Sequence, residues 1–370
     1  MAAQERRAGL TADHPGGRAD GWRLGWDDGY WSGQCAAAAA DASRPPAKRD
    51  VHVLYVATGK GYPYSPLDEA VCEALHAAAG RVSVTDAHGD AAGEAQRLRP
   101  DLVLALDGMN LPPEQVDAMR AAGIRTAVWF TDDPYYTDTT GRLAPHYDDV
   151  FTLERSCVAF YRGIGCASVH HLPLGVSPSA FRHRNAPPHR RRDITFVGSA
   201  FWNRVAFFER LSGLLEDQDL YVTGLWWERM QSASQARARF ETGVWMTPAE
   251  TAITYSGSKI AINLHRAEVD PTFNRNSAGI GAVSPNPRTF EIAACGTLQL
   301  TDVREDLALY FEPDREIVTY TSPEELADKA RYYLAHEEER RRIALRAIRR
   351  TMRDHTYERR VEEMLRILFG

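Results

Sequence analysis

The chain carries the same pattern twice. From Asp50 onward, short apolar runs alternate with stretches of helical periodicity, and the alternation resumes after a break at 172–192 rich in proline and arginine. In the first stretch Val51–Ala57, Val82–Thr85, Leu102–Leu106, Thr126–Phe130 and Val150–Leu153 read as strands, with helices near 66–79, 112–122 and 154–163. In the second, Ile194–Val197, Leu220–Thr223, Ile260–Asn263, Thr297–Thr301 and Ile317–Tyr320 are the strands, with helices near 203–216, 247–256, 287–295 and 323–335. Strands separated by helices are joined by crossovers, which make neighbouring strands parallel. Two doubly wound α/β domains facing across a cleft are therefore predicted, and 370 residues suit two cores better than one.

The boundaries follow: residues 1–49 as a tail disordered over 1–20 plus an aromatic helix, 50–178 as the first domain, 179–192 as the linker, 193–340 as the second domain, and 341–370 as a charged helical segment. In the N-terminal region Trp22, Trp26 and Tyr30 recur at steps of four, on one helical face. That face either docks the helix on the body or offers a platform for a sugar or a partner. Thr247-Pro248 and Asn286-Pro287 each set a capping side chain before a proline suited to a helix start.

Composition narrows the partners. A formal net charge of −6 and a pI near 6.1 argue against nucleic acid. No apolar run approaches the ~20 residues of a bilayer span, and Met1–Asp20 lacks the apolar segment of a secretory signal. The five cysteines are scattered, without CxxC or Cys/His zinc spacing, which fits reduced thiols in the cytoplasm.

Chemistry concentrates where predicted strands end. Ile194–Val197 runs into Gly198-Ser199 and then a helix bearing Asn203 and Arg204 in its first turn. Small residues there let backbone N–H groups approach an anion, and a helix start favours negative charge. Strand 260–263 ends at Asn263 and His265 and opens into a long loop, 264–286, before a helix with Arg288 and Glu291 on its first turn. Arginine suits phosphate oxygens, and a carboxylate accepts from both ribose hydroxyls. The plain alternative is a tight turn and a helix-start ion pair. In the first half, Gly59-Lys60, Asp107 and Asp132-Asp133 each follow a strand, where open α/β sheets bind ligands. Either of the paired aspartates is a candidate base or hydrogen-bonding group for an acceptor hydroxyl, or else forms a turn. No Asp-x-Asp ends a predicted strand, so no metal site and no cofactor are expected.

Taken in order, FVGS-x-x-x-NR, SKIAINLH, N-x-RTFEIAACGTLQLTD, Tyr320-Thr321-Ser322-Pro323-Glu324-Glu325-Leu326 and His355-Thr356-Tyr357-x-x-Arg360 resemble the C-terminal domain of CgeB-like glycosyltransferases. The resemblance covers about 190–365 and extends to Trp129-Phe130-Thr131-Asp132-Asp133-Pro134. It implies the GT-B fold, with a nucleotide-sugar donor on the C-terminal domain, an acceptor on the N-terminal one, and a terminal helix crossing back. Glu291 matches the second glutamate of the Glu-x7-Glu pattern of retaining relatives, whereas the first position is Val283, so the stereochemical outcome does not follow. The expected reaction is metal-independent transfer of a glycosyl group, with Asp132, Asp133 and His265 as catalytic candidates. Gly198, Ser199, Asn203, Arg204, Asn263, Arg288 and Glu291 would hold the donor, and Gly59, Lys60 and Asp107 the acceptor. The alternatives are a GT-B epimerase or hydrolase, or a noncatalytic carbohydrate-binding or coat-assembly protein.

Overall fold

A computed structural model of the protein describes residues 15–230, 239–243 and 245–370. The disorder expected of residues 1–14 lies outside the described residues. Residues 15–20 differ from expectation, because helix α1 (Pro15–Ala42) already begins at Pro15. A proline opens a helix readily, since its missing N–H has no partner in a first turn anyway.

Strands β1 (Arg49–Ala57), β2 (Ala79–Asp86), β3 (Leu102–Leu106), β4 (Thr126–Phe130), β5 (Asp149–Thr152) and β6 (Ser168–His171) form one sheet in the order β2-β1-β3-β4-β5-β6. Strands β7 (Arg192–Val197), β8 (Leu220–Gly224), β9 (Arg239–Thr242), β10 (Ser258–Asn263), β11 (Leu298–Asp302) and β12 (Val318–Tyr320) form the second, in the order β9-β8-β7-β10-β11-β12. All pairings are parallel. The two doubly wound sheets of the prediction are present, and β6 and β9 join them from segments too short and mixed in character to stand out in the sequence. Strand order reverses direction between β1 and β3 in the first sheet and between β7 and β10 in the second. Ligands of open α/β sheets bind at such switch points, outside the carboxyl ends of the strands.

Helix α2 (Ser65–Ala78) and helix α13 (Tyr357–Phe369) cover one face of the first sheet. Met364, Leu365 and Leu368 of α13 share a core with Val53, Tyr55 and Leu102. The charged terminal segment is two helices rather than one: α12 (Glu337–Asp354) stops at His355, and Thr356 caps α13 by accepting from the Arg359 N–H. There the chain returns to the first half beside Val176, so both passages between the halves lie together.

Helix α1 packs on α12 through Cys35 and Ala38, which sit in a core with Phe290, Ile348 and Met352. The stripe of Trp22, Trp26 and Tyr30 is not the docking face. These side chains point away from the body and are more than half exposed. At 100° per residue, Trp31, Cys35, Ala38 and Ala42 fall on the opposite side, and that small, apolar side is what the body accepts. No helix among the described residues is long and apolar enough to cross a membrane.

Candidate functional site

Both switch points open onto the cleft between the sheets. On the second sheet, Val197 leads into Gly198-Ser199 and helix α7 (Trp202–Leu214). The approach at Gly198 is close: an added Cβ would lie 3.2 Å from Arg204 Nη1 and 3.2 Å from Arg288 Nη2, so two guanidinium groups flank one bare backbone unit. From below, the Trp227 indole donates to the Gly198 carbonyl at 2.9 Å. Gly224, with φ +145°, ends β8 directly against that carbonyl, and a Cβ there would come within 2.3 Å of it.

Helix α9 (Arg288–Ala294) supplies the next wall. Asn286 caps it, its Oδ1 accepting from the Thr289 N–H at 3.1 Å. Arg288 and Glu291 project from its first turn into a cavity of about 280 Å³ between the two halves. Gly198, Ser199 and Tyr255 line it from the second half, and Tyr62 and Leu67 from the first. Burial pushes the Glu291 carboxyl up to about 7, although Arg288 pulls it down. Over the cavity, the Tyr62 hydroxyl donates to the Met246 carbonyl at 2.7 Å, and its ring meets Trp245 edge-on at 6.5 Å.

Behind this wall lies a layer that braces it. Arg204 is buried and donates through Nε to the Leu264 carbonyl and through Nη1 to the Ser199 carbonyl, both at 3.0 Å. Burial, and then Arg288, lower its pKa to about 9. Asn203 donates to the His265 carbonyl at 2.9 Å.

On the first sheet, Asp107 ends β3 with φ +64°, a left-handed conformation uncommon outside glycine. Its buried carboxylate pairs with Lys60 at 2.7 Å and accepts from Thr131 at 3.1 Å. Lys60 also lies 4.4 Å above the Tyr64 ring. The Tyr64 hydroxyl donates to Asp132 Oδ2 at 3.1 Å, and no donor among the described residues reaches Asp132 Oδ1. Burial and the neighbouring Asp107 raise Asp132, against Lys60, the Tyr64 hydrogen bond and Arg266. No group of three or more His, Cys, Asp or Glu side chains among the described residues converges as metal ligands.

The comparisons with known proteins agree with this layout. Residues 202–366 match the model of the glycosyl transferase-like family. The chain is also 26% identical over 309 residues to the spore protein CgeB of Bacillus subtilis (strain 168), covering 83% of this chain and 95% of that protein. The chain is thus similar to CgeB over most of its length, and its C-terminal half resembles the glycosyl transferase-like family. Its fold is that of solved GT-B enzymes. A sucrose-phosphate synthase from Thermosynechococcus elongatus superposes with a TM-score of 0.56 at 12% identity, over 87% of this chain and 99% of that one. Anabaena HepE in complex with UDP and glucose gives 0.56 at 10% identity, over 86% and 99%. An alpha-glucosyltransferase bound to UDP-glucose and DNA gives 0.63 at 10% identity, over 87% and 99%.

Of the residues singled out in the sequence, Gly198, Ser199, Arg288 and Glu291 share the cavity. Gly59, Lys60, Asp107 and Asp132 stand at the switch point of the first sheet, where Gly59 turns the chain with φ +67° and its carbonyl bonds His88. Three expectations need correction. Asp133 lies behind the cleft, where its carboxylate takes hydrogen bonds from Thr140, Thr152 and Tyr161 at 2.6–3.2 Å. His265 is not available for proton transfer: Nε2 accepts from the Asn286 N–H at 3.0 Å, which leaves the Nδ1 proton for Asp302 at 2.5 Å. Asn263 is fully buried and exchanges amide hydrogen bonds with Asn286 at 3.1 and 3.0 Å, so it shapes the turn into α9 rather than touching the cavity. The sequence reading missed Tyr62, Trp245 and Tyr255. Nothing in their local patterns distinguishes them from ordinary aromatic residues.

Proposed function

We propose that this glycosyltransferase draws its sugar from a nucleoside diphosphate sugar seated on the C-terminal half, with uridine as the first candidate base. The observation that carries the reading is the single cavity in which Gly198, Arg288 and Glu291 converge. Glu291 would accept from the ribose hydroxyls, and the cavity beneath Tyr62 and Trp245 would take the base. Arg288 and the uncommitted edge of Arg204 would face the diphosphate, beside the backbone of Gly198-Ser199. These arginines supply positive charge where negative charge develops on the leaving group, the task a divalent cation performs in other transferases, so no metal is required. The UDP held by HepE and the UDP-glucose held by the alpha-glucosyltransferase support the choice of base.

Asp132 would activate the acceptor, a reading supported by its carboxylate at the end of β4, where Tyr64 alone among the described residues donates to it. Its carboxylate would take the proton from an acceptor hydroxyl as the oxygen bonds to the anomeric carbon. The bond from that carbon to the diphosphate breaks, and the electron pair leaves with the nucleotide. Gly59, Lys60 and Asp107 would shape the acceptor side. Five cysteines without disulfides fit the reducing cytoplasm, where such donors are made available.

The test is a thermal-shift screen with UDP, GDP, dTDP, ADP and CMP, run on the parent and on Glu291→Ala. A ligand at a hundredfold its Kd stabilises the fold by about 2.7 kcal/mol, a readable shift. UDP should raise the melting temperature of the parent and not of the variant, with or without EDTA. No shift from any nucleotide would overturn the donor site, and a shift that required Mn²⁺ would overturn metal independence.

A further inference from the structure

Another cavity, of about 540 Å³, lies at the other end of the C-terminal sheet from the cleft. Arg192, Ser258 and Leu298 line it, and these residues open β7, β10 and β11. The donor cavity lies past the carboxyl end of β7, so the 6 residues of that strand, at about 3.3 Å each, hold the two cavities about 20 Å apart. Three stretches of chain wall this second cavity: α1, the linker before β7, and α12.

The wall from α1 is made of glycine. Gly25 and Gly29 line the cavity, and Gly21 and Gly33 continue the same spacing of four along the helix. Glycine weakens a helix interior relative to alanine, because it gives up more backbone freedom on folding. The fold itself does not require it here. None of the four has a positive φ, and a Cβ built on any of them would meet no atom within 4 Å. What the missing side chains leave is room, and at Gly25 and Gly29 that room is the cavity.

The facing walls are cationic. Six arginine and lysine side chains line the cavity against three carboxylates, Asp27, Asp28 and Glu337. Asp28 pairs with Arg191 at 2.5 Å and Glu337 with Arg341 at 2.6 Å. Lys259 and Arg192 lie 2.7 and 3.9 Å from Asp193 and Asp219, outside the cavity. Arg340 is answered most weakly. It is 7% exposed, and its one hydrogen bond among the described residues is a 3.4 Å contact from Nη1 to the Tyr333 carbonyl. Glu337 stands 3.7 Å from Nη2, too far for a hydrogen bond and already engaged by Arg341. A buried charge so weakly paired is costly unless something else answers it.

A wall that makes room and a wall that holds an unsatisfied cation together describe a site for a small anion. An inorganic ion alone would not fill it, since its volume falls within the ~300–1,000 Å³ of sites for small organic molecules. Asp27 and Asn185 also line the cavity, and their oxygens suit hydroxyl groups. We propose that this cavity binds a sugar phosphate, with the phosphate on Arg340 and the hydroxyls toward Asp27 and Asn185. One edge of a guanidinium matches two phosphate oxygens. The site is distinct from the donor and acceptor sites of the cleft. From its walls the chain runs on to the N-terminal half, through α1 into β1 and through α12 into α13, and by the linker it arrives from there. An occupant therefore holds together the three stretches that join the halves.

Isothermal titration of the full chain with ribose 5-phosphate, inorganic phosphate and ribose tests the assignment. Ribose 5-phosphate should bind more tightly than inorganic phosphate, and ribose should give no measurable heat. Gly29→Leu fills the cavity from a position where a side chain meets nothing, so it should abolish binding while melting at or above the parent temperature. Arg340→Gln should weaken binding by about tenfold, the order of one lost charge-assisted hydrogen bond. Glu291→Ala, which alters the donor cavity, should leave the affinity unchanged. Binding that survives Gly29→Leu overturns the site, and its loss in Glu291→Ala would then place the ligand in the cleft. A parent that binds neither phosphate overturns it as well. Inorganic phosphate binding as tightly as ribose 5-phosphate would overturn the sugar phosphate as the occupant.

Discussion

The two rims of the cleft are built on similar sheets and carry opposite chemistry. The first offers carboxylates, Asp107 and Asp132, at the ends of parallel strands; the second offers arginines, Arg204, Arg266 and Arg288, at the corresponding ends. They also differ in how far their charges are satisfied. In the first half Lys60 answers Asp107, and Asp133 is surrounded by three hydroxyl donors. In the second, none of the three guanidinium groups forms an ion pair with a carboxylate within 4.0 Å among the described residues, while Gly198 presents bare backbone between two of them. On the first rim only Asp132 is left with a single donor among the described residues, the Tyr64 hydroxyl, while on the second all three arginines lack a carboxylate. That asymmetry is what a transferase needs: a fixed base on one side and a receptacle for the departing charge on the other.

The sharpest test within this comparison separates two adjacent residues. Asp132→Asn keeps the Tyr64 hydrogen bond but removes the base, so transfer should fall by about 10²- to 10⁴-fold while the melting temperature stays within about 1 °C. Rates measured as nucleotide release under saturating donor would check it, and a loss under tenfold would take Asp132 out of the chemistry. Asp133→Ala should do the reverse. It strands Thr140, Thr152 and Tyr161 without their acceptor and should cost about 2 kcal/mol of stability, visible in a urea titration, with the activity of the folded fraction retained. If both variants lose activity at full stability, the two aspartates act together and the division between them is wrong.

A smaller effect reports on the other rim. Glu291 has a carboxyl pushed up to about 7 by burial. Only its ionised form accepts from both ribose hydroxyls, and the ionised fraction grows as pH rises through that value. Uridine, which has no titrating phosphate, should therefore bind about tenfold more tightly at pH 8 than at pH 6. Glu291→Gln should flatten the slope. A flat profile in the parent would mean that Glu291 does not touch the ribose.

Much of this arrangement is legible in the amino-acid sequence because strand ends announce themselves. Val197 before Gly198-Ser199, and Leu106 before Asp107, mark the points where apolar runs stop and ligands can approach. The sequence does not indicate depth. Asp132 and Asp133 are chemically identical neighbours, and only the path of the chain after β4 turns one toward the cleft and the other toward Tyr161. His265 ends its strand as a ligand-binding histidine would, but the loop that follows it folds back so that Asn286 takes its second nitrogen. The aromatic walls from Tyr62 and Trp245 meet across the interface between halves, a juxtaposition that local pattern cannot carry. The Trp22, Trp26 and Tyr30 stripe misleads in the opposite sense: periodicity reveals a face but not which way it points.

The return of α13 also has a consequence for how the molecule is made. The first sheet's core includes Met364, Leu365 and Leu368, so strands laid down early in synthesis wait for residues made after the entire second half. Until then the apolar face that α13 will cover is open, and contacts between residues so far apart in sequence form slowly. On the ribosome, the order of assembly would therefore be inverted. The C-terminal sheet, whose strands are close neighbours in sequence, is in a position to finish first, and the N-terminal half, although made earlier, closes last.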